Sequence, residues 1–442
     1  MVASVILGDW THRRGDAGGA RAVPADIDKP RPVLAWTWRP EHGGHVDQVR
    51  VVGENVVVAT MMPRDVGAPG WEHAVLYAID ANTGRVIARR ELPDPVPVAA
   101  MVVESGTLHV VATRRGEPIF WYALSPAGLA PKHRRVVGLA THYDDVLEAW
   151  ASPDGGLWLE LEAATESDAR HALAYAFADG AGATPATYRH EDDGTEGTDR
   201  EALREVGDAV ARDACRAGHE LFAPVDGRWK RDAPVPPALS RLSPGTDRET
   251  PWVSATVVGP RSQIHALAVE GAVYAVAAAQ DPERLDRARV EAFVVDRATG
   301  VMQWRALADR VEVKPRLGDS ARVARRPNGE LLFQSLGADG IPSSALLCAR
   351  ADGRLDAIPM GPRSRYVLDA ALGDLVLAHR EAKDGRVEVA GFAIDGEGRL
   401  LGRRGALRWT LDVGDLGAAT TVYAGAGAVF VRGTRAVCAV RL

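Results

Sequence analysis

The segment His-Gly-Gly-His-Val-Asp, which contains His42, His45 and Asp47, has residue types and spacing that suit a metal ion. Two imidazoles and a carboxylate are common zinc ligands. The two glycines between the histidines leave the backbone flexible, and fixing it around a metal would cost conformational entropy. We therefore interpret the segment as a solvated turn and predict no metal site.

The three cysteines, Cys215, Cys348 and Cys438, are candidate nucleophiles or thiolate ligands. They lie far apart and form no C-x₂-C metal spacing. Cys348 and Cys438 have no histidine beside them in the sequence, and we expect both to be small buried core residues. The sequence also lacks G-x-S-x-G, H-E-x-x-H and glycine-rich phosphate-binding motifs. It predicts no catalytic residue, and the sparse, odd number of cysteines is typical of a reducing compartment.

An internal repeat organises the elements that would position any functional residue. It is clearest in Tyr77-Ala-Ile-Asp80-Ala-Asn-Thr-Gly84 and in Phe293-Val-Val-Asp296-Arg-Ala-Thr-Gly300, which Trp304 follows. Each copy reads as an apolar strand, a tight turn and a returning strand. The Asp and Thr side chains can hydrogen-bond the turn backbone, and the Gly supplies a positive φ.

Weaker copies extend the repeat along the whole chain at an average spacing of about 52 residues. Hairpins of apolar residues precede most copies, and this spacing leaves no room for the crossover helices of a parallel sheet. Four short strands per unit are typical of a β-propeller blade. The apolar anchors of the eight units are Tyr77, Tyr122, Tyr175, Phe222, Phe293, Cys348, Phe392 and Cys438.

These units predict an all-β fold, a single eight-bladed β-propeller over residues 1–442 with an N-terminal lead-in at 1–32. Seven blades remain the alternative if the fourth unit is misread. In that unit the capping box at Thr198 suggests a helix over 199–217, whereas an apolar hairpin pattern favours strands, and we favour the strands. The five prolines of 229–252 predict a loop insertion there.

The ends of the chain complement each other in this arrangement. The last unit stops at Leu442, four residues after its anchor Cys438, so it lacks an outer strand. The stretch Val33–Trp38 is strand-like and precedes the first complete unit. We expect this N-terminal strand to complete the last blade and close the ring, which leaves no long edge exposed.

The repeat, with Trp304 four residues after Gly300, resembles that of PQQ-like (quinoprotein-type) β-propellers. The opening Gly8-Asp-Trp10 and Arg14-Gly-Asp16 are similar to the lead-in of the outer-membrane-assembly lipoprotein propellers. Enzymes of the quinoprotein type hold a quinone above a calcium ion with Glu and Asn ligands, an Asp base and usually an adjacent Cys-Cys pair. This sequence has no adjacent cysteines, and its three asparagines all belong to predicted turns: Asn55, Asn82 and Asn328. We therefore predict no cofactor.

Polar residues of the innermost strands would line the channel of such a ring. They are Asp47, Gln48, Asp144, Asp145, Gln263 and Asp369. An acidic channel mouth would attract a cationic peptide or a metal ion, but solvated carboxylates need no ligand. Trp71 lies in a long hairpin loop, where it either anchors a partner or packs against its own loop.

Charge and hydropathy limit the functional classes. The formal net charge is −6 without a basic cluster, which argues against nucleic acid. No apolar run approaches the roughly 18 residues of a membrane span. The N-terminus lacks the features of a signal peptide, so we expect a bacterial cytoplasmic protein, or a periplasmic one if the N-terminus has been trimmed.

We predict a non-catalytic scaffold that binds a protein partner through its loops and channel face. The alternative is a channel-sited enzyme, either a hydrolase or lyase or a degenerate quinoprotein dehydrogenase.

Overall fold

The computed structural model consists almost entirely of antiparallel β-sheet. Among the described residues, no helix is long and apolar enough to cross a membrane. The structure describes residues 5–6, 22–23, 25–26, 31–63, 72–94, 96–114, 118–139, 145–164, 169–176, 186–188, 215–225, 229–230, 233–234, 238–242, 250–253, 262–269, 271–280, 288–311, 322–326, 328–334, 345–359, 366–373, 375–382, 384–393, 407–418 and 420–442.

The N-terminal part contributes short strands that join other parts of the molecule. They are β1 (Val5–Ile6), β2 (Ala22–Val23), β3 (Ala25–Asp26) and β4 (Val33–Trp38), and a 3₁₀ turn follows at Glu41–Gly43. β1 pairs with β3. β2 and β4 join larger sheets.

Eight sheets, each with four antiparallel strands, follow one another in the described part of the chain, and β2 joins the seventh as a fifth, parallel strand. Sheets 1 to 3 comprise β5 (His45–Val52), β6 (Asn55–Pro63), β7 (Glu72–Asp80) and β8 (Val86–Glu91); β9 (Val98–Glu104), β10 (Thr107–Ala112), β11 (Pro118–Leu124) and β12 (Pro131–Leu139); and β13 (Asp145–Ala151), β14 (Leu157–Ala164), β15 (Ala169–Ala176) and β16 (Ala186–Tyr188). Sheet 4 comprises β17 (Cys215–Ala217), β18 (Glu220–Val225), β21 (Ala238–Leu242) and β22 (Thr250–Val253), and the hairpin β19 (Trp229–Lys230) and β20 (Ala233–Pro234) lies between its second and third strands.

The remaining four sheets repeat the plan. They comprise β23 (Ser262–Val269), β24 (Ala272–Gln280), β25 (Ala288–Asp296) and β26 (Met302–Val311); β27 (Arg322–Arg325), β28 (Leu331–Gln334), β29 (Ala345–Ala349) and β30 (Leu355–Pro359); β31 (Val367–Leu372), β32 (Leu375–Glu381), β33 (Arg386–Ala393) and β34 (Leu407–Asp415); and β35 (Thr421–Gly425), β36 (Ala428–Arg432) and β37 (Val437–Arg441) with β4.

The expected closure by the N-terminal strand is confirmed. β4 pairs antiparallel with β37 and forms the fourth strand of sheet 8. The backbone N–H of Val46, in sheet 1, donates to the carbonyl of Thr434 after β36 (2.8 Å). The first strand of sheet 8, β35, also contacts that of sheet 1, β5. The first strands of the sheets are therefore innermost, and the last sheet meets the first.

The repeat turn has the geometry that its residues predict. In the first clear copy, Asp80 Oδ1 accepts bonds from the backbone N–H of Asn82 (3.0 Å) and Thr83 (2.7 Å), and also from the Thr83 hydroxyl (2.8 Å). Gly84 has a φ of +72°. A Cβ there would lie 2.7 Å from ring atoms of Trp36, a β4 residue whose Nε1 donates to Ala81 O (3.0 Å). The turn thus also joins sheet 8 to sheet 1.

The hydrophobic core is divided among the interfaces between neighbouring sheets. One cluster joins sheets 1, 7 and 8 and includes Tyr77, Leu377 and Phe430. Other clusters join sheets 1 and 2, 2 and 3, 4 and 5, 5 and 6, and 6 and 7. Cys348 and Cys438 are buried in this core, as expected from their place in the repeat.

The fourth sheet differs from the expected register. The anchor Phe222 lies on β18, the second strand, whereas the other anchors lie on third strands. The segment 229–252, expected to be a loop insertion, contains the hairpin β19–β20, the third strand and most of the fourth strand of this sheet. Pro251 is tolerated because β22 is the outermost strand, where a missing N–H costs no pairing. Of the segment 199–217, residues 215–217 form β17, and 199–214 lie outside the described residues.

Candidate functional site

Asp47 and Gln48 connect neighbouring sheets. Gln48 Nε2 donates to the carbonyl of Ala99 in sheet 2 (2.6 Å), and its Oε1 accepts a bond from Arg50 (3.2 Å). The backbone carbonyl of Asp47 accepts a bond from the Arg432 guanidinium of sheet 8. Both residues are half-buried. Their described contacts hold the ring together at its inner strands.

A β-bulge recurs in the first strand of five sheets, and the sequence analysis did not predict it. The register of each strand skips one residue: Asp47, Ala99, Leu147, His265 and Asp369. A bulge bends the strand and redirects its side chains. Simple alternation along the strand therefore does not identify the channel-facing residues.

Asp369 does not lie in a solvated channel wall, contrary to the sequence prediction. Its side chain is 1% exposed, and its Oδ2 lies 2.7 Å from Nδ1 of His379, on the neighbouring strand β32. In addition, β2 pairs in parallel with β31, so that the inner edge of sheet 7 is covered by the chain itself. The bulge explains the failure, because it moves Asp369 out of the regular alternation.

The remaining predicted channel residues are only partly described. Asp145 is the first residue of β13 and Gln263 the second of β23, so both lie at the beginning of innermost strands. Asp144 and Trp71 lie outside the described residues. In the described ranges, no three His, Cys, Asp or Glu side chains are grouped so that they could hold a metal ion.

A cleft of about 290 Å³ lies between sheets 2 and 3. It opens beside the turns that join the first strand to the second, at 105–106 in sheet 2 and 152–156 in sheet 3. The repeat turns, such as 81–85, join third to fourth strands and lie at this same edge of the sheets. We call this edge the turn rim. The lining residues come from four strands of sheet 2 and the first turn of sheet 3: Glu104, Ser105, Thr107, His109, Ala123, Lys132, His133, Arg135, Ser152, Pro153 and Gly155.

His109 forms the buried wall of the cleft with a defined tautomer. Its side chain is 4% exposed, and Trp121 Nε1 lies 3.0 Å from its Nδ1. An indole nitrogen can only donate, so Nδ1 accepts and the proton of the neutral ring lies on Nε2. Burial lowers the pKa of His109 to about 4, and the charges of His133 and Lys132 act in the same direction. The ring is neutral at physiological pH.

The outer strand β12 adds His133 and Arg135 on the same face of sheet 2. The His133 ring meets Trp121 edge-on at 5.1 Å, and the Arg135 guanidinium lies over the same indole at 5.7 Å. Burial lowers the pKa of His133, assisted by the nearby charges of Arg135 and Lys132. Lys132 Nζ donates to Thr107 Oγ1 (2.6 Å), which ties the outer strand to the inner hairpin.

Polar contacts between sheets fix the first turns of sheets 2, 3 and 4. Arg216, 6% exposed, forms an ion pair with Glu104 and also donates to Gly218 O. Burial raises the pKa of Glu104, and the positive charge of Arg216 opposes this shift. Ser152 Oγ lies 3.2 Å from His219 Nδ1. These partners are separated by 112 and 67 residues, respectively, so the sequence carries no local signal for the cleft.

One contact in this region resembles a nucleophile and its base. Ser152 Oγ approaches His219 Nδ1 at 3.2 Å, and Asp154 Oδ2 approaches the same nitrogen at 3.7 Å. In a catalytic triad the serine and the carboxylate bind opposite nitrogens of the ring, so that the ring can pass a proton and remain oriented. Here both oxygens compete for one nitrogen. The arrangement can stabilise the turns but lacks the geometry of acyl transfer.

Comparison with known proteins gives the fold. No family model matches the sequence, and no curated protein matches it. The chain is similar to a europium-containing methanol dehydrogenase, with 13% identity and a TM-score of 0.57 over 97% of this chain and 90% of that one. It is similar to the quinohemoprotein alcohol dehydrogenase ADHIIG from Pseudomonas putida HK5, with 14% identity and a TM-score of 0.56 over 98% of this chain and 80% of that one. It is also similar to BamB from Moraxella catarrhalis, with 12% identity and a TM-score of 0.51 over 93% of this chain and 98% of that one. The chain has a PQQ-like β-propeller fold.

The described residues do not fit the quinone and calcium site that this resemblance implies. Asn328 Oδ1 accepts the backbone N–H of Glu330 (3.2 Å) in the turn after β27, and Asn82 lies in the repeat turn. The three cysteines are buried in different sheets. Burial raises the thiol pKa of Cys348 and Cys438 to about 12. We therefore derive no chemistry through a quinone.

Proposed function

We propose that this protein is a non-catalytic propeller scaffold that binds a protein partner at the turn rim. The observation that carries the proposal is the cleft between sheets 2 and 3. It is about 290 Å³ in volume, and its walls are held by bonds between sheets such as Glu104–Arg216. The nearby Ser152–His219 contact lacks catalytic geometry. A preformed cleft whose described residues form no catalytic triad suits the binding of a partner.

The rigidity of the ring supports this proposal. Buried Gln334 joins sheets 6 and 7, because its Nε2 donates to Tyr366 O (2.7 Å) and its Oε1 accepts the N–H of Leu368 (2.6 Å). Glu381 accepts bonds from the hydroxyl (2.8 Å) and N–H (3.2 Å) of Thr420, which join sheets 7 and 8. A surface that is already fixed loses little conformational entropy on binding.

Affinity capture tests the scaffold proposal. The tagged protein and its Lys132→Met variant are compared in host lysate, with mass spectrometry of the retained proteins. The matched control is Arg386→Met, an exposed cation at the start of β33 in sheet 7, on the edge of the ring opposite the turn rim. We expect wild type and control to retain the same stoichiometric protein. Empty captures from folded protein at its native level would contradict the scaffold proposal.

A channel-sited enzyme is the second candidate, because both dehydrogenases above share the fold. Pairing of β2 with β31 and burial of Asp369 count against a reactive group in that part of the channel. Joint replacement of Asp144 and Asp145 by Asn separates the two candidates. It should abolish turnover by a channel enzyme and leave capture of a partner at the turn rim unchanged. The cytoplasmic location stays a prediction, which cell fractionation would test.

A further inference from the structure

The cleft between sheets 2 and 3 has a hydrogen-bond donor on a largely buried ring as well as positive charge. His109 lines it, its Nδ1 is taken by Trp121, and its Nε2 therefore carries a hydrogen. The described part of the chain gives this N–H no hydrogen-bond partner. The ring is buried, but Nε2 is not among the fully buried atoms that lack a partner, so this N–H is open to the cleft and can donate to an acceptor that enters it.

The charges around this donor favour an anionic acceptor. Lys132 and Arg135 line the cleft, and Glu104 is the one acidic residue among the lining residues that the structure describes. The charge of Glu104 is balanced by Arg216. Asp154 belongs to the same turn as Ser152 and approaches His219. With Glu104 paired to Arg216, the charge of Lys132 makes the described lining attractive to an anion, although the net charge of the protein is −6.

The size of the cleft limits the ligand. A volume of about 290 Å³ is at the lower end for ligand pockets and suits one or two side chains. Recognition of a long polyanion needs an extended basic surface, whereas the basic lining residues Lys132, His133 and Arg135 all come from one short run on β12. A carboxylate can accept bonds from an ammonium and an imidazole N–H at the same time, and such charge-assisted bonds are short and strong.

We propose that the cleft binds the carboxylate of an acidic segment in a protein partner, with Lys132 supplying the charge and His109 the N–H donor that faces the cleft. This proposal rests on the scaffold function and names the chemistry of the partner. The carboxylate can come from Asp and Glu side chains or from a chain terminus. The side chains are the source we propose, because an exposed acidic segment can present several carboxylates to one cleft.

Calorimetric titration at neutral pH and low salt tests the proposal. The probes are a capped Gly-Ser peptide with three successive glutamates, the same peptide with glutamines, an uncapped Gly-Ser peptide with a free C-terminus, and inorganic phosphate. We expect the glutamate peptide to bind and to weaken as salt screens the charges. Binding of the terminal carboxylate alone would move the source to a chain end and overturn our choice. Equal binding of the glutamine peptide, or binding of phosphate alone, would overturn the carboxylate proposal.

Variants connect binding to the named residues. Lys132→Met should weaken the glutamate peptide by about tenfold or more, since bonds to charged groups are worth that much. Arg386→Met, on the opposite edge of the ring, should leave binding unchanged. His109→Gln keeps an acceptor for Trp121 and a donor for the cleft, so we expect it to bind, whereas His109→Phe should not. Near-ultraviolet circular dichroism checks that each variant is folded. Full binding by Lys132→Met would overturn the proposal.

The peptide and capture experiments can contradict the acidic-segment proposal and the scaffold function independently of each other. Wild type and Lys132→Met retaining the same partner equally would overturn the acidic-segment proposal and leave the scaffold function standing. Peptide binding with empty captures would support the carboxylate site and contradict the scaffold function.

Discussion

The buried histidine of the cleft should make the stability of this propeller depend on pH. His109 is 4% exposed, and burial lowers its pKa from the ordinary 6.5 to about 4. Protonation would turn Nδ1 into a donor facing the indole N–H of Trp121, 3.0 Å away. The unfolded chain takes up this proton near pH 6.5, whereas the folded chain resists it.

The sign follows from this order of protonation. Above pH 6.5 both states are neutral at this site and its contribution to stability is complete. As the pH falls from 6.5 towards 4, the unfolded state gains a proton that the folded state excludes, so the free energy of unfolding decreases. The total loss is about 3 kcal/mol, of which about 2 kcal/mol falls between pH 7.5 and pH 5.

Urea unfolding of the wild type and of His109→Gln, at pH 7.5 and pH 5.0, measures this effect. Gln does not titrate and keeps an acceptor for Trp121, and other titrating groups such as Asp94 and His133 are present in both proteins. The wild type should lose about 2 kcal/mol more than the variant on acidification. Identical losses in the two proteins would show that His109 is not held neutral by burial, and the reasoning would be refuted.

Two further predictions concern the frame of the ring. Gly84→Ala should destabilise the protein more than Gly53→Ala, because both glycines have a positive φ but only at Gly84 would a Cβ meet Trp36, at 2.7 Å. Thermal unfolding should give a difference of at least about 1 kcal/mol between the two variants. Equal effects would contradict the close packing. Gln334→Leu should cost about 2 kcal/mol or more in urea unfolding, because it removes the buried bonds of the amide to the carbonyl of Tyr366 and to the N–H of Leu368. A loss below about 0.5 kcal/mol would contradict a structural role for that amide.

Sequence reasoning succeeded where the physical signal is local. The Asp80 turn was predictable because its Asp, Thr and Gly satisfy the turn backbone by themselves. Closure by Val33–Trp38 was predictable because an unpaired outer strand needs a partner. The register of sheet 4 was not predicted, since an apolar hairpin looks the same whichever pair of strands it joins. Phe222 therefore appeared to belong to the third strand and lies on the second.

The sequence by itself determined the repeat, its turns and hence the propeller, because apolar alternation and turn residues act over a few positions. The tertiary structure alone decided the candidate site. Contacts such as Glu104–Arg216 and Ser152–His219 join turns of different sheets, and nothing within one repeat shows which turns meet. The bulge at Asp369 similarly redirected a residue that alternation placed in the channel. Packing between sheets is a long-range property, and it set both the cleft and the surroundings of its buried histidine.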